Sequence, residues 1–301
     1  MCKIATPELN RAAAAKKSAE LDEPAGARRR EILMDGPRRF RQSRPTVKML
    51  FVADLHYALK QFDWLTANAA SFDVAVIGGD LLDIGSHLDL DVQIVVVEKY
   101  LGRLRERTRL LVSSGNHDCD VQSAANESIC KWLHDVKAGQ LFVDGDSVEI
   151  AGTLITICPW WDGPVSRAGV EQLLAQDANR TKAKWIWIHH APPDKSPVSW
   201  TGKEFGGDEF LVEWIRRFEP DAVLCGHIHN APFVTNGSWI DRIGRTWVVN
   251  PGKQIGPYPT CLIFDLERMS MEWVSLEGQG MQQLNIPPGN FTGPAVAAGG
   301  T

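Results

Sequence analysis

Short apolar runs alternate with longer amphipathic stretches through the middle of the chain. Residues 47–53 (VKMLFVA), 73–78 (DVAVIG), 109–114 (RLLVSS), 185–189 (WIWIH) and 221–226 (DAVLCG) are too short for helices and rich in β-branched side chains, which predicts buried central strands. VQIVVVEKYLGRLRERT (92–108) spaces its apolar residues as a helix does and ends basic, and GDEFLVEWIRRFE (207–219) repeats that pattern. Strands alternating with helices imply a largely parallel sheet. A second group, 141–159 and 246–276, carries hairpin signals such as Asp-Gly and Ala-Gly and reads as antiparallel. The expected fold is α/β, a four-layer α/β-β/α sandwich in which two mixed sheets pack face to face and helices flank them.

Outside this region the periodicity fades. Residues 1–44 read as a basic N-terminal extension, 45–276 as the one folded domain, and 277–301, rich in Gly, Pro and Ala, as a flexible tail. Charge changes the picture. The whole chain of 301 residues carries −5, yet residues 1–48 alone carry +6, so the remainder stands at −11. An acidic body disfavours broad binding to a phosphate backbone and suits a site that holds cations. The Arg-rich extension leaves nucleic acid open as a partner without favouring it. Six cysteines show no Cys-x-x-Cys spacing, so a reducing, cytoplasmic setting is expected. No apolar run approaches the ~18–20 residues of a membrane span. Eleven Trp would suit a homodimer interface.

The chemistry sits where the central strands stop. The first ends in Asp54 and His56, the second in Asp80 and Asp83, the third in Asn116, His117 and Asp118, the fourth in His189 and His190, and the fifth in His227 and His229. In open α/β sheets the carboxyl ends of the strands form the usual ligand crevice. Asp-x-His and His-x-His on an extended backbone send both side chains to one side. Imidazole, carboxylate and one amide, with no thiolate, suit manganese, iron, zinc or cobalt better than a Cys-rich structural zinc site. One cation rarely takes so many protein ligands and stays open for catalysis, whereas two sharing a carboxylate use them readily.

The ordered series Asp-x-His, Gly-Asp, Gly-Asn-His-Asp, His and Gly-His-x-His resembles the calcineurin-like metallophosphoesterase superfamily over about residues 47–276. That resemblance implies two divalent metal ions. One would be held by Asp54, His56, Asp80 and His229, and the other by Asp80, Asn116, His189 and His227, with Asp80 bridging. Strand alternation puts Trp185, Trp187 and His189 on one face and His190 on the other, and the family pattern favours His189. By the same resemblance His117 is not a ligand but stands beside the substrate phosphate. There it would stabilise the transition state and protonate the leaving group, oriented by Asp83, while Asp118 fixes the loop.

Such a centre would direct a metal-activated hydroxide at phosphorus, with His117 contributing about 10²–10⁴-fold. Superfamily protein phosphatases carry Arg-Gly after the orienting Asp and a Glu closing the third motif, and GDLLDIG and GNHD have neither. Lipid A precursor hydrolases replace the catalytic His by Arg, whereas His117 is retained. The remaining pattern is similar to bacterial cyclic-nucleotide and other small phosphodiesterases, so a small or nucleotide-derived phosphate ester is the expected substrate. A nuclease and a non-catalytic scaffold are the alternatives. Trp160, Trp161, Trp200 and Phe205 either stack on a base or pack the sheet edges, and Lys253 either contacts phosphate or is solvated.

Overall fold

A computed structural model describes residues 46–285; the expected extension over 1–44 and the chain from 286 onward lie outside them. β1 (Lys48–Val52) sets the pattern of two-sided burial, with Met49 and Phe51 on one face and Leu50 and Val52 on the other, all fully buried. α1 (Leu59–Asn68) leads to β2 (Val74–Gly78), and α2 (Leu90–Arg105) leads to β3 (Arg109–Ser113), both strands parallel to β1. A hairpin of β4 (Val121–Gln122) and β5 (Ser128–Ile129) and the short α3 (Trp132–Asp135) precede β6 (Leu141–Phe142), which pairs parallel with β3.

The second sheet opens with the hairpin β7 (Ser147–Ile150) and β8 (Thr153–Ile157), turned by Ala151 and Gly152 at φ 50° and 73°. Two positive φ values are what a tight two-residue hairpin needs, which is why Ala-Gly was legible there. α4 (Pro164–Ala178) leads to β9 (Lys184–Ile188) and α5 (Glu209–Phe218) to β10 (Ala222–Leu224), followed by β11 (Ile240–Ile243) and β12 (Thr246–Val249). The chain then returns to the first sheet as β13 (Cys261–Asp265), β14 (Ser270–Val274) and β15 (Gln279–Gln283). The sheet orders are β15-β14-β13-β1-β2-β3-β6 and β11-β12-β10-β9-β8-β7.

Three apolar layers hold these sheets. Met49, Phe51 and Val76 of the first sheet meet Ile155, Ile186 and Ile188 of the second. On the outer face of the first sheet Leu50, Val52 and Ile77 bury Phe62 and Leu65 of α1 and Val97 and Leu101 of α2. Trp185, Trp187 and Val223 do the same on the second sheet with Leu174 of α4 and Trp214 of α5. Each such side chain contributes roughly 1.5–3 kcal/mol by leaving water. The four-layer arrangement therefore follows from strands that are apolar on both faces.

Three details differ from the expectation. β6 and β12 lie in segments read as antiparallel, yet each has a parallel neighbour, β3 and β10 respectively. β15 occupies the start of the stretch assigned to a tail, pairing antiparallel with β14 while Gly280 lies against the Trp239 indole. Its Gln- and Gly-rich sequence hides an edge strand whose contacts are mostly backbone. The five described cysteines are unpaired, and among the described residues no helix is long and apolar enough to cross a membrane.

Candidate metal centre

The ends of the parallel strands do not fade into ordinary loops. Asp54, His56, Asp80 and His227 all have positive φ, between 41° and 68°. Each such residue costs of order 1–3 kcal/mol unless its surroundings hold it there, and clusters of them mark functional sites. The holding bonds are visible. Asp54 N–H donates to the Gly79 carbonyl (3.1 Å) and His56 N–H to that of Asp80 (2.9 Å), stitching the loops after β1 and β2 together. His117 N–H donates to Asp80 Oδ1 (2.9 Å), and His227 N–H to Asp54 Oδ1 (3.0 Å), which ties in the loops after β3 and β10.

These loops bring three overlapping groups together, one of them His56, Asp83 and His117. Asp54, His56, Asp80 and His229 offer ligand atoms within 4.8 Å of one another, and so do Asp80, His190 and His227. Asp80 belongs to both. Asp54 and Asp80 are buried, at 0% and 1% exposure, so their charge demands a partner. Gly115 is required by the close approach, because a Cβ there would lie 2.2 Å from Asp80 Oδ1 and 2.7 Å from His190 Nε2.

Among the expected His and Asp ligands, His189 is the one the structure does not bring to the cluster. It follows Trp185 and Trp187 to the helix-facing side, packs edge-on to Trp214 (6.2 Å) and lies 3.9 Å from Asp208 Oδ2. His190 follows Ile186 and Ile188 into the space between the sheets, with Nε2 3.1 Å from Asp80 Oδ2 and 3.9 Å from Asp54 Oδ1. The physical reason is parity. A site between two sheets takes the side chain that shares a face with the inter-sheet core, and the two Trp occupy the other face.

The donor set fits divalent metal. His190 Nδ1 lies 2.7 Å from the Gly78 carbonyl, which fixes the proton on Nδ1 and turns the Nε2 lone pair to the cluster. That Nε2 has the Asp80 carboxylate 3.1 Å away, and the Asn116 Oδ1 is buried without a hydrogen-bond partner. His56 Nε2 and His229 Nε2 face each other at 2.9 Å, His229 Nε2 lying 3.4 Å from Asp54 Oδ1 and His56 Nε2 3.5 Å from Asp80 Oδ2. Titration tells the same story. Burial opposes charge on Asp54, but hydrogen bonds from His229 and His56 and the charge of His190 hold its carboxyl well below the usual range. Burial likewise opposes charge on His190, yet Asp80 and Asp54 push it up to about 10. Burial and the neighbouring His190 bring His227 down to about 4. The two carboxylates thus recruit one proton onto His190 where a cation of higher charge would satisfy them.

Supporting residues are as specific. Asp118, fully buried, accepts from Leu81 N (2.8 Å) and Leu82 N (2.9 Å) through Oδ1 and from Gly115 N (2.8 Å) through Oδ2. It locks the Asp80 loop to the Asn116 loop. Gln93 of α2, which nothing in the sequence singled out, clamps the next turn by accepting from Asp83 N (2.9 Å) and donating to the Asp83 carbonyl (3.0 Å). His117 stands edge-on to His56 with ring centroids 4.4 Å apart. Its Nδ1 accepts from Ile84 N–H (3.2 Å), while Asp83 Oδ1 is 3.9 Å away and accepts from Gly85 N–H (2.9 Å). Burial is the main cause lowering the His117 pKa. The neutral ring therefore carries its proton on Nε2.

A cavity of about 570 Å³ opens beside His227, with Trp160, Trp161 and Phe210 among its walls and Asp162, Asp194, Asp208 and Glu209 as its charged residues. Trp160 lies 5.6 Å from the His227 ring and 5.9 Å from that of His190. Trp161 donates to Asp208 Oδ2 (3.0 Å). Trp200 and Phe205 instead pack on one another at 4.9 Å and are not among the lining residues.

The sequence profile of the calcineurin-like phosphoesterase family matches residues 47–231, and the chain belongs to that family. No curated protein matches. Among solved structures, one crystal structure superposes with a TM-score of 0.54 at 15% identity, over 80% of this chain and all of the other. Purple acid phosphatase PPD1 from yellow lupin (Lupinus luteus) seeds gives 0.50 at 13% identity, over 79% of this chain and 53% of that one. YfcE, a phosphoesterase from E. coli, gives 0.39 at 14% identity, over 79% and 100%. At these identities the likeness to the first two is one of fold.

Proposed function

We propose that the chain is a dinuclear metal-dependent phosphodiesterase acting on small phosphate esters. The observation that carries this reading is Asp80, the one carboxylate common to both ligand groups. Asp54, His56, Asp80 and His229 would hold one ion, and Asp80, Asn116, His190 and His227 the other. Divalent ions held there would supply a water-derived nucleophile near neutral pH and neutralise charge developing on the phosphate oxygens.

The chain's own residues do the rest. His117, with Nδ1 occupied by the Ile84 N–H, offers its Nε2–H as a hydrogen-bond donor to the phosphate or the departing oxygen. A neutral imidazole is a poor proton donor, so this geometry supports transition-state stabilisation over full proton transfer. Asp83, without a hydrogen bond to His117, tunes it by charge alone. The cavity beside His227 gives room for one ester arm, and its acidic lining opposes a polynucleotide backbone, which weighs against the nuclease reading.

The test is hydrolysis of bis(p-nitrophenyl) phosphate and of p-nitrophenyl phosphate by metal-free protein resupplied with manganese, zinc, iron or cobalt. Diester turnover restored by metal, and reduced about 10²–10³-fold in His117→Ala, is expected. A preference for the monoester would turn the assignment to a phosphatase. Folded, metal-loaded protein without turnover would favour the scaffold.

A further inference from the structure

The loop after β12 holds a cation that no described residue uses. Asn250 Nδ2 donates to the carbonyls of Val198 (3.0 Å) and Ile228 (2.9 Å), its Oδ1 accepts from Gly252 N–H (2.8 Å), and Thr260 Oγ1 donates to the Gly252 carbonyl (2.7 Å). Lys253 N–H donates to the His229 carbonyl (2.8 Å), and Gln61 of α1 grips the carbonyls of Gln254 (3.1 Å) and Gly256 (3.2 Å). The loop is thereby fixed against a residue of the metal centre. The Lys253 side chain is half-buried and makes no hydrogen bond or ion pair with any described residue, while its ammonium lies within electrostatic range of Asp54, Asp83 and Asp80.

Partly burying an ammonium without a partner is costly. Once divalent ions occupy the centre, Asp54 and Asp80 are spoken for and Lys253 faces a cation-rich surface. The arrangement then becomes favourable when an anion arrives. The charged residues of the cavity beside His227 are all carboxylates, so negative oxygens are repelled from it. We propose that Lys253 is a substrate-binding residue that donates to a non-bridging oxygen of the phosphate and so orients the ester with its organic arm toward Trp160. This rests on the dinuclear reading above.

The experiment uses the full chain loaded with manganese. The affinity of inorganic phosphate is measured by calorimetry and by competitive inhibition for wild type, K253M and K253R, with metal content per chain determined for each. Loss of a charge-assisted hydrogen bond should weaken phosphate roughly 10- to 100-fold in K253M. K253R should stay within about tenfold of wild type, and all three should carry equal metal. Wild-type affinity in K253M at full metal content would overturn the assignment, as would equal losses in K253M and K253R, or loss of metal from K253M. Wild type that takes up no metal would instead remove the dinuclear reading itself, and the assignment with it.

Discussion

The two sheets bring different things to their shared pole. The seven-stranded sheet supplies both buried carboxylates, Asn116 and one histidine, whereas the six-stranded sheet supplies His190, His227 and His229. The first set is braced from within, by Asp118 across the Asp80 and Asn116 loops and by Gln93 under Asp83. The second set is braced against the first, through His227 N–H on Asp54 and His190 Nε2 beside Asp80. Neither half is electrostatically complete. Two carboxylates so close repel each other until imidazoles from the other sheet arrive, so the centre forms only when the inter-sheet core of Phe51, Ile186 and Ile188 has packed. Metal loading and global stability should therefore be linked.

The largest break in this comparison comes from Asp80→Asn, which removes the carboxylate both groups share. We expect metal content to fall by at least one ion per chain and kcat/KM by more than about 10²-fold; a variant that keeps both ions and full activity would remove Asp80 from its shared role. Next comes the pair His190→Ala and His189→Ala. The first takes away the partner of two buried carboxylates and should destabilise the metal-free protein by roughly 3–5 kcal/mol as well as lose metal. The second should keep metal and activity within a few fold, losing only about 1–3 kcal/mol of packing and hydrogen bonding. Thermal melts and metal analysis of the two decide between neighbours, and reversed outcomes would restore His189 to the centre.

Asp118→Asn sharpens the contrast between internal and cross-sheet bracing. Its amide can accept from Leu81 and Leu82 or from Gly115, but must present N–H to the other set. A loss of about 1–3 kcal/mol is expected, with metal affinity weakened roughly 10- to 100-fold. Denaturant titration and metal titration measure both. The smallest effect concerns Asp144, which accepts from Ser114 N–H (2.8 Å) beneath the Asn116 loop. Burial, opposed by the Ser114 hydrogen bonds, pushes its carboxyl up to about 7 from 3.8. The folded state then binds more protons between those values, so its contribution falls as pH rises from about 4 to 7. Asp144→Asn, neutral throughout, should match wild type only near pH 4, gain on it up to about pH 7 and melt a few degrees higher at pH 8. Parallel pH curves for the two proteins would rule this out.

Much of this was legible in the chain. Strands apolar on both faces dictate a covered sheet, and polar clusters at the ends of β1, β2, β3, β9 and β10 dictate a shared crevice. Two kinds of feature stayed hidden. The choice between His189 and His190 depends on which face of β9 meets the other sheet, and WIWI is apolar on both. The bracing by Gln93 and the edge strand β15 depends on backbone hydrogen bonds, which leave no periodic signal in side-chain type. The left-handed conformations of Asp54, His56, Asp80 and His227 also break the strict i, i+2 alternation that strand reasoning assumes at these positions.

The most direct test of the two-sheet centre is anomalous diffraction from crystals grown with manganese. Two peaks are expected, separated by about 3.5–4 Å, both within ligand distance of Asp80 and one of them at His190 Nε2. A single peak, or a second ion bound by His189 on the helix-facing side of β9, would contradict the two-sheet centre.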